Sequence, residues 1–306
     1  MQLVLICALV SQVVAHGYVS QVTVHGTSYV GNAPDHDTVA SPIRMVASNS
    51  PETNTSSLDM ACGQGAVNVP LNAIAAPGDA INFTWVSGMG GNWEHEVGPV
   101  LTYMASCDNA TSCTTFDAST ARWFKIDQVG KKSDGEGWVQ QDISEGQNFN
   151  VTIPHNLAPG GYLIRNEIIG LQNAMAKGGA EFFPSCTQLQ IIGDGTAVPA
   201  PNDTVAFPGA YNATDPGIIV DVYTDPNTTY TFPGPPIATF VRMTSQQNNT
   251  PSISTSDSAA KFEPLMPIIV PVPEDKSEIP FIEMVPMQAD TPERRMHSRI
   301  MRKNVH

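Results

Sequence analysis

Short runs of alternating or wholly apolar residues recur along the chain, separated by clusters of Gly, Pro, Asn and Asp. They fall at 18–24, 80–86, 100–105, 123–128, 148–153, 162–171, 187–192 and 218–223. Val, Ile, Thr and aromatic side chains dominate them, which is the make-up of strands rather than helices. Only 171–177 offers a helical turn or two. Many short strands at this spacing predict an all-β antiparallel sandwich. The connections are long, above all 31–79, and long loops carry function more often than the strands they join.

The two ends of the chain follow other patterns. An apolar run at 3–14 is too short to span a bilayer as a helix. It closes on Val13-Val14-Ala15, with the small residue that signal peptidase requires, although no Lys or Arg precedes it. Residues 1–15 therefore read as a signal peptide, and cleavage leaves His16 as the new N-terminus of a secreted protein. Periodicity fades after Pro236. Residues 242–306 run from a Ser/Thr/Asn stretch through a Pro-rich one to a basic end at 294–303, the composition of a disordered tail. The tail holds no cysteine and ends in charge, which excludes a disulfide-stapled binding module and a lipid-anchor signal. The folded domain is then 16–241.

Composition supports secretion. With 24 Gly and 25 Pro in 306 residues, turns are dense. The net charge of −14 argues against nucleic acid and against an anionic membrane as partners. Cys7 leaves with the signal, so Cys62, Cys107, Cys113 and Cys186 remain, an even set that reads as two disulfides in an oxidising compartment. Cys107 and Cys113 suit a local clasp, and Cys62 with Cys186 would then close a long loop. Asn-x-Ser/Thr sequons stand at Asn54, Asn82, Asn109, Asn150, Asn202, Asn212, Asn227 and Asn248, so glycosylation is expected.

An N-terminal histidine has a chemistry of its own. Its amine and its ring nitrogen can grip one metal ion as a chelate, and a second imidazole completes a three-nitrogen set that suits copper. The amine, with a pKa of about 7.7–8, yields its proton to a metal near neutrality. His25 lies nine residues from His16, on the opposite strand face by alternation, and reads as a surface residue. His36 sits in a polar loop, His155 in a turn, and His297 and His306 in the tail. No Ser-His-Asp order, phosphate-cradling glycine loop or zinc-type cysteine pair is present, and no spacing selects a pair of hydrolytic carboxylates.

Ordered blocks add a resemblance. His16-Gly17-Tyr18-Val19, Gly98-Pro99-Val100-Leu101-Thr102-Tyr103-Met104-Ala105, Gly161-Tyr162-Leu163-Ile164-Arg165, Phe183-Pro184-Ser185-Cys186-Thr187-Gln188-Leu189 and Phe207-Pro208-Gly209-Ala210-Tyr211 follow in sequence. Together the chain resembles the fungal lytic polysaccharide monooxygenases of auxiliary activity family 9 over about 16–236. The resemblance implies an immunoglobulin-like β-sandwich with a flat copper face, one copper ion, and disulfides Cys62–Cys186 and Cys107–Cys113. It also implies oxidative cleavage of cellulose or a related β-glucan by a monomer that draws on an external electron donor.

Positions near the implied metal depart from the family pattern. The second copper histidine would fall at Glu96, with His95 one place earlier, so either could be the third ligand beside His16. The outer-sphere histidine is Asn166, the glutamine before the aromatic pair is Glu181, and the axial tyrosine is Phe183. Tyr211 and Trp93 are the candidates for stacking on sugar. The alternative is a non-oxidative protein on the same scaffold that binds polysaccharide or copper without turnover.

Overall fold

The computed structural model describes residues 16–36, 38–108, 111–133, 135, 137–224 and 229–248, with side chains through 243. The expected signal segment, residues 249–306 of the expected tail, Asn109, Asn227 and the side chain of Asn248 lie outside them. In chain order the strands are β1 (Gly17–Val24), β2 (Thr27–Val30), β3 (Ala73–Ala75), β4 (Ala80–Ser87), β5 (Val100–Ser106) and β6 (Trp123–Val129). Helix α1 (Val139–Ser144) precedes β7 (Phe149–Thr152), β8 (Gly160–Gly170), β9 (Glu181–Ile191), β10 (Thr204–Val205) and helix α2 (Thr239–Asn248). A four-stranded sheet in the order β2-β1-β4-β7 faces a six-stranded sheet in the order β10-β6-β5-β8-β9-β3. Every strand pairing is antiparallel except β3 with β9. The architecture is a β-sandwich. No helix among the described residues is long and apolar enough to cross a membrane.

The four-stranded sheet shows the alternation of a sheet with one buried face. Ile81, Phe83 and Trp85 of β4 point inward, and their neighbours are partly exposed. In β1 the pairing with β4 slips between Val19 and Gln21, so Val19, Val22 and Val24 all reach the core despite their uneven spacing. The hairpin to β2 turns on His25 and Gly26, at φ 49° and 75°, the paired left-handed geometry a two-residue turn requires.

The central strands of the larger sheet are buried on both faces. Val100, Ile164, Ile168, Phe183 and Leu189 face the other sheet. Leu101, Tyr103, Leu163, Ile169 and Phe182 face a second core on the outer side, completed by Met60, Phe207, Tyr211 and Ile218 from the long loops. That second core explains why β5 and β8 read as unbroken apolar runs. The disulfide Cys62–Cys186 ties the 31–79 loop to β9, and Cys107–Cys113 clasps the loop after β5.

Three local expectations are corrected. β9 starts at Glu181 rather than at 187, because Pro184 interrupts the sequence pattern. Proline has no N–H to give a ladder, and here the outer edge of β9 is met by the 31–79 loop, with Arg44 N–H donating to Cys186 O at 2.8 Å. Residues 218–223 form no strand: the Asp221 carboxylate accepts the N–H groups of Tyr223 (2.9 Å) and Thr224 (3.1 Å) and bends the chain. Residues 171–177 make turns rather than helix. Helix α2 crosses the expected domain boundary at 241, and Ala238, Phe240 and Val241 pack on the main core.

Candidate metal centre

The chain around His16 is held on several sides. The His16 carbonyl accepts the N–H of Gly88 at 2.5 Å, and the Gly17 N–H donates to Asn49 O at 3.0 Å. Gly17 pairs with Ser87 at the end of β4. The indole of Trp93 lies directly against Gly17: a Cβ there would stand 2.4 Å from the Val86 carbonyl oxygen and 2.5 Å from Trp93 Cζ3, so any other residue would have to displace both the β4 backbone and the indole. His16 itself is partly exposed.

Along residues 93–96 burial alternates from one side chain to the next. Trp93 and His95 are buried, at 2% and 8% exposure, while Glu94 and Glu96 are exposed. The imidazole of His95 stands edge-on to Trp93, with ring centres 5.3 Å apart, and lies 5.8 Å from Phe183. Phe183 in turn meets Trp93 edge-on at 4.9 Å. Both predicted histidines thus flank one indole, His95 through its ring and His16 through the adjoining Gly17. Glu96 is turned to solvent, on the other side of the chain from His95. Phe183 offers an apolar ring and no oxygen.

Glu181 opens β9 beside this cluster. Its Oε2 lies 3.4 Å from His95 Nε2 and accepts a hydrogen bond from Gln172 Nε2 at 2.7 Å. The Tyr223 hydroxyl donates to the Gln172 carbonyl at 3.4 Å, and the Tyr223 ring is 54% exposed. Gln172 and Tyr223 come from turns, and nothing in the sequence pattern marked either one. Met89, 80% exposed, stands out on the loop that follows Gly88.

Asn166 is placed differently from the expectation. Its Oδ1 accepts the indole N–H of Trp85 at 2.8 Å, and its Nδ2 donates to Thr102 Oγ1 at 2.9 Å. The amide ties the two sheets together and connects toward the histidines through Trp85, which meets Trp93 at 5.6 Å. Tyr211 and Trp93 are corrected as sugar platforms, because both are buried. Tyr211 is 5% exposed and donates to Glu167 Oε2 at 2.6 Å. Trp93 donates to Gln140 Oε1 at 3.3 Å. A stacking surface needs a free ring face, and neither has one.

Tyr211 belongs instead to a buried polar cluster in the outer core. Arg165 grips both carboxylate oxygens of Glu167 and donates to the carbonyls of Met60 and Ala61. Burial works against the Arg165 charge, yet Glu167 holds its pKa above the ordinary value. Burial and the same carboxylate raise Tyr211 well above a free tyrosine. Lys125, donating to Gln128 Oε1 and Pro233 O, is lowered by burial to about 7. This cluster fastens the 207–238 loops to the sheet and takes no part in the histidine site.

The donor set at the sandwich end fits a copper ion of one kind. Among the described residues no three His, Cys, Asp or Glu side chains gather into a metal cage. The His95 imidazole lies on the indole, Gly17 meets the same indole, and a freed His16 next to it can add an amine and a second imidazole, the three-nitrogen set that suits copper.

The comparisons bear on the same region. Residues 16–230 match Auxiliary Activity family 9, formerly glycoside hydrolase family 61. Lytic polysaccharide monooxygenase D of Gloeophyllum trabeum is 49% identical over 251 residues, covering 80% of this chain and 72% of that one. A second protein of that fungus, monooxygenase A, is 42% identical over 248 residues, covering 76% and 75%. Among solved structures, a cellulose-active polysaccharide monooxygenase from M. thermophila superposes with a TM-score of 0.64 at 32% identity, covering 72% of this chain and 98% of that one. The sandwich and its histidine end define a polysaccharide-oxidising class of protein. The chain belongs to Auxiliary Activity family 9, the copper-dependent lytic polysaccharide monooxygenases.

Proposed function

We propose that this protein, once freed at His16, holds one copper ion through the His16 amine, the His16 imidazole and the His95 imidazole, and oxidatively cleaves cellulose or a related β-glucan. The observation that carries the ligand assignment is the alternation at 93–96, which turns His95 toward the indole beside Gly17 and turns Glu96 away. Bound copper supplies the one-electron chemistry that activates oxygen or peroxide, with electrons from an external donor. Trp93 fixes the separation of the two histidines, and Phe183 closes the inner side of the site with an apolar ring. The exposed ring of Tyr223, joined to the site through Gln172 and Glu181, offers a face on which a pyranose ring can stack. The acidic body suits a neutral polymer better than a polyanion. The family's members are secreted, and the two disulfides fit that compartment. The folded domain is taken as beginning at 16 and as extending past 241, a reading supported by the packing of Phe240 and Val241 of α2 on the main core. Among the described sequons, Asn54, Asn150, Asn202 and Asn212 are exposed and Asn82 is partly so, and all five are accessible to glycan.

The test begins with mass spectrometry of the secreted N-terminus, followed by electron paramagnetic resonance of the Cu(II)-loaded protein. Three coupled nitrogens are expected, reduced in His95→Ala and unchanged in Glu96→Ala. Oxidised oligosaccharides should appear from cellulose with ascorbate. Specific copper binding without such products over hours would overturn the enzymatic part and leave a copper- or polysaccharide-binding protein. A mature chain beginning elsewhere than His16 would overturn the ligand set.

A further inference from the structure

Two glutamates neighbour His95 in sequence, and a third meets it in space. Glu94 and Glu96 flank the histidine in sequence and are exposed. Glu181, far off in sequence on β9, places Oε2 at 3.4 Å from His95 Nε2. Its position is built: Glu181 pairs with Gly170 at the end of the β8–β9 ladder, and Gln172 Nε2 donates to its Oε2 at 2.7 Å. The carboxylate is thus fixed at the imidazole rather than swinging in solvent.

We propose that Glu181 is a positioning residue of the copper site, whose negative charge, fixed against His95, favours the doubly charged cupric ion over the cuprous one. This rests on the ligand assignment above. The reasoning is electrostatic. Reduction adds one electron, delivered by the external donor, and lowers the ion's charge by one. A fixed anion a few ångströms away therefore stabilises the oxidised state by one charge–charge interaction more than the reduced state. At such a distance, with screening between that of bulk water and that of a protein surface, this interaction changes the ratio of the two binding constants by about tenfold. The same carboxylate links the metal to the exposed ring of Tyr223 through Gln172. A substrate that shifts Tyr223 can therefore shift the charge felt at His95.

The test compares wild type, Glu181→Gln and Glu94→Gln as full-length secreted proteins. Gln keeps the shape of Glu181 and can still accept from Gln172. Cu(I) and Cu(II) affinities are measured separately by competition with chromophoric chelators, and the potential by film voltammetry. Expected is a rise in the Cu(I)-to-Cu(II) affinity ratio of about tenfold in Glu181→Gln, which is about 59 mV for one electron, with Glu94→Gln unchanged. Near-UV circular dichroism of the metal-free proteins reports whether the site has kept its packing. Equal potentials in wild type and Glu181→Gln, or an equal shift in Glu94→Gln, would overturn this inference alone. A wild type without nitrogen-coordinated Cu(II) would overturn the ligand assignment with it.

Discussion

Replacing Glu167 with Gln removes a negative charge from a place that water cannot reach. Glu167, Arg165 and Tyr103 are fully buried, and Tyr211 nearly so. The carboxylate receives both terminal nitrogens of Arg165 and the Tyr211 hydroxyl, while Tyr103 and Tyr211 share a hydrogen bond of 3.1 Å. Gln has nearly the same shape, so no cavity opens. Its amide can satisfy only one side of this arrangement, and the guanidinium is left charged among apolar walls, 3.9 Å from the centre of the Phe207 ring. Breaking a buried ion pair from one side costs about 3–5 kcal/mol. A domain of 150–250 residues loses about 2–4 °C of Tm per kcal/mol, so the variant should melt roughly 6–20 °C below wild type. Calorimetry of the metal-free proteins measures this. The double variant Arg165→Met, Glu167→Leu should recover only part of the loss, because the Met60 and Ala61 carbonyls lose their donor. Electron paramagnetic resonance of Cu(II)-loaded Glu167→Gln should match wild type, since Glu167 bonds Tyr211 on the outer face of the sheet while His95 packs on Phe183, which faces the other core. A Tm within about 2 °C of wild type would refute the claim that the outer core hangs on this pair.

Removing the bridge between Cys62 and Cys186, which are 124 residues apart, by a double change to Ala should lower stability by about 5 kcal/mol in the chain-entropy account, read from denaturant midpoints. The stability of wild type should rise with pH above about 7. The unfolded chain keeps the Lys125 proton up to its ordinary value near 10.5, while the folded chain releases it from about 7, so the unfolded state binds more protons in that window. Lys125→Met should remove up to about 1.4 kcal/mol per pH unit of that slope, and an identical pH profile in the variant would contradict the assignment. Tyr223→Ala should weaken binding to insoluble cellulose about two- to tenfold, the worth of one ring contact, while Tyr211→Phe should leave binding intact and lower Tm.

The strands with one wet face were legible because alternation survives where a polar residue meets water at every second position, as in β4. Where a second core covers the outer side, as over β8, the pattern becomes a plain apolar run, and its polar members Arg165, Asn166 and Glu167 look like surface residues. Pro184 concealed the first half of β9, and α1 is too short for helical periodicity to show. At the candidate site, His16 and the 93–96 run were visible from the leader and the motif. Which of His95 and Glu96 faces inward is a matter of strand phase, and no local signal sets it. Gln172 and Tyr223 reach the site by turns whose geometry depends on Asp221 and on contacts made after folding. Tyr211 and Trp93 resembled sugar platforms because loop aromatics usually are exposed, whereas these loops are themselves packed down.

The glycine after His16 has an effect beyond allowing contact with an indole. A chain terminus is ordinarily the most restless part of a domain, and a chelate built on one would have to be ordered afresh each time a metal arrived. Here the first peptide is stitched to Asn49 on one side and Gly88 on the other, with Trp93 seated on Gly17. The entropy of stilling the terminus is settled when the domain folds. A bulkier residue at position 17 would leave both imidazoles in the chain and still loosen the grip between them.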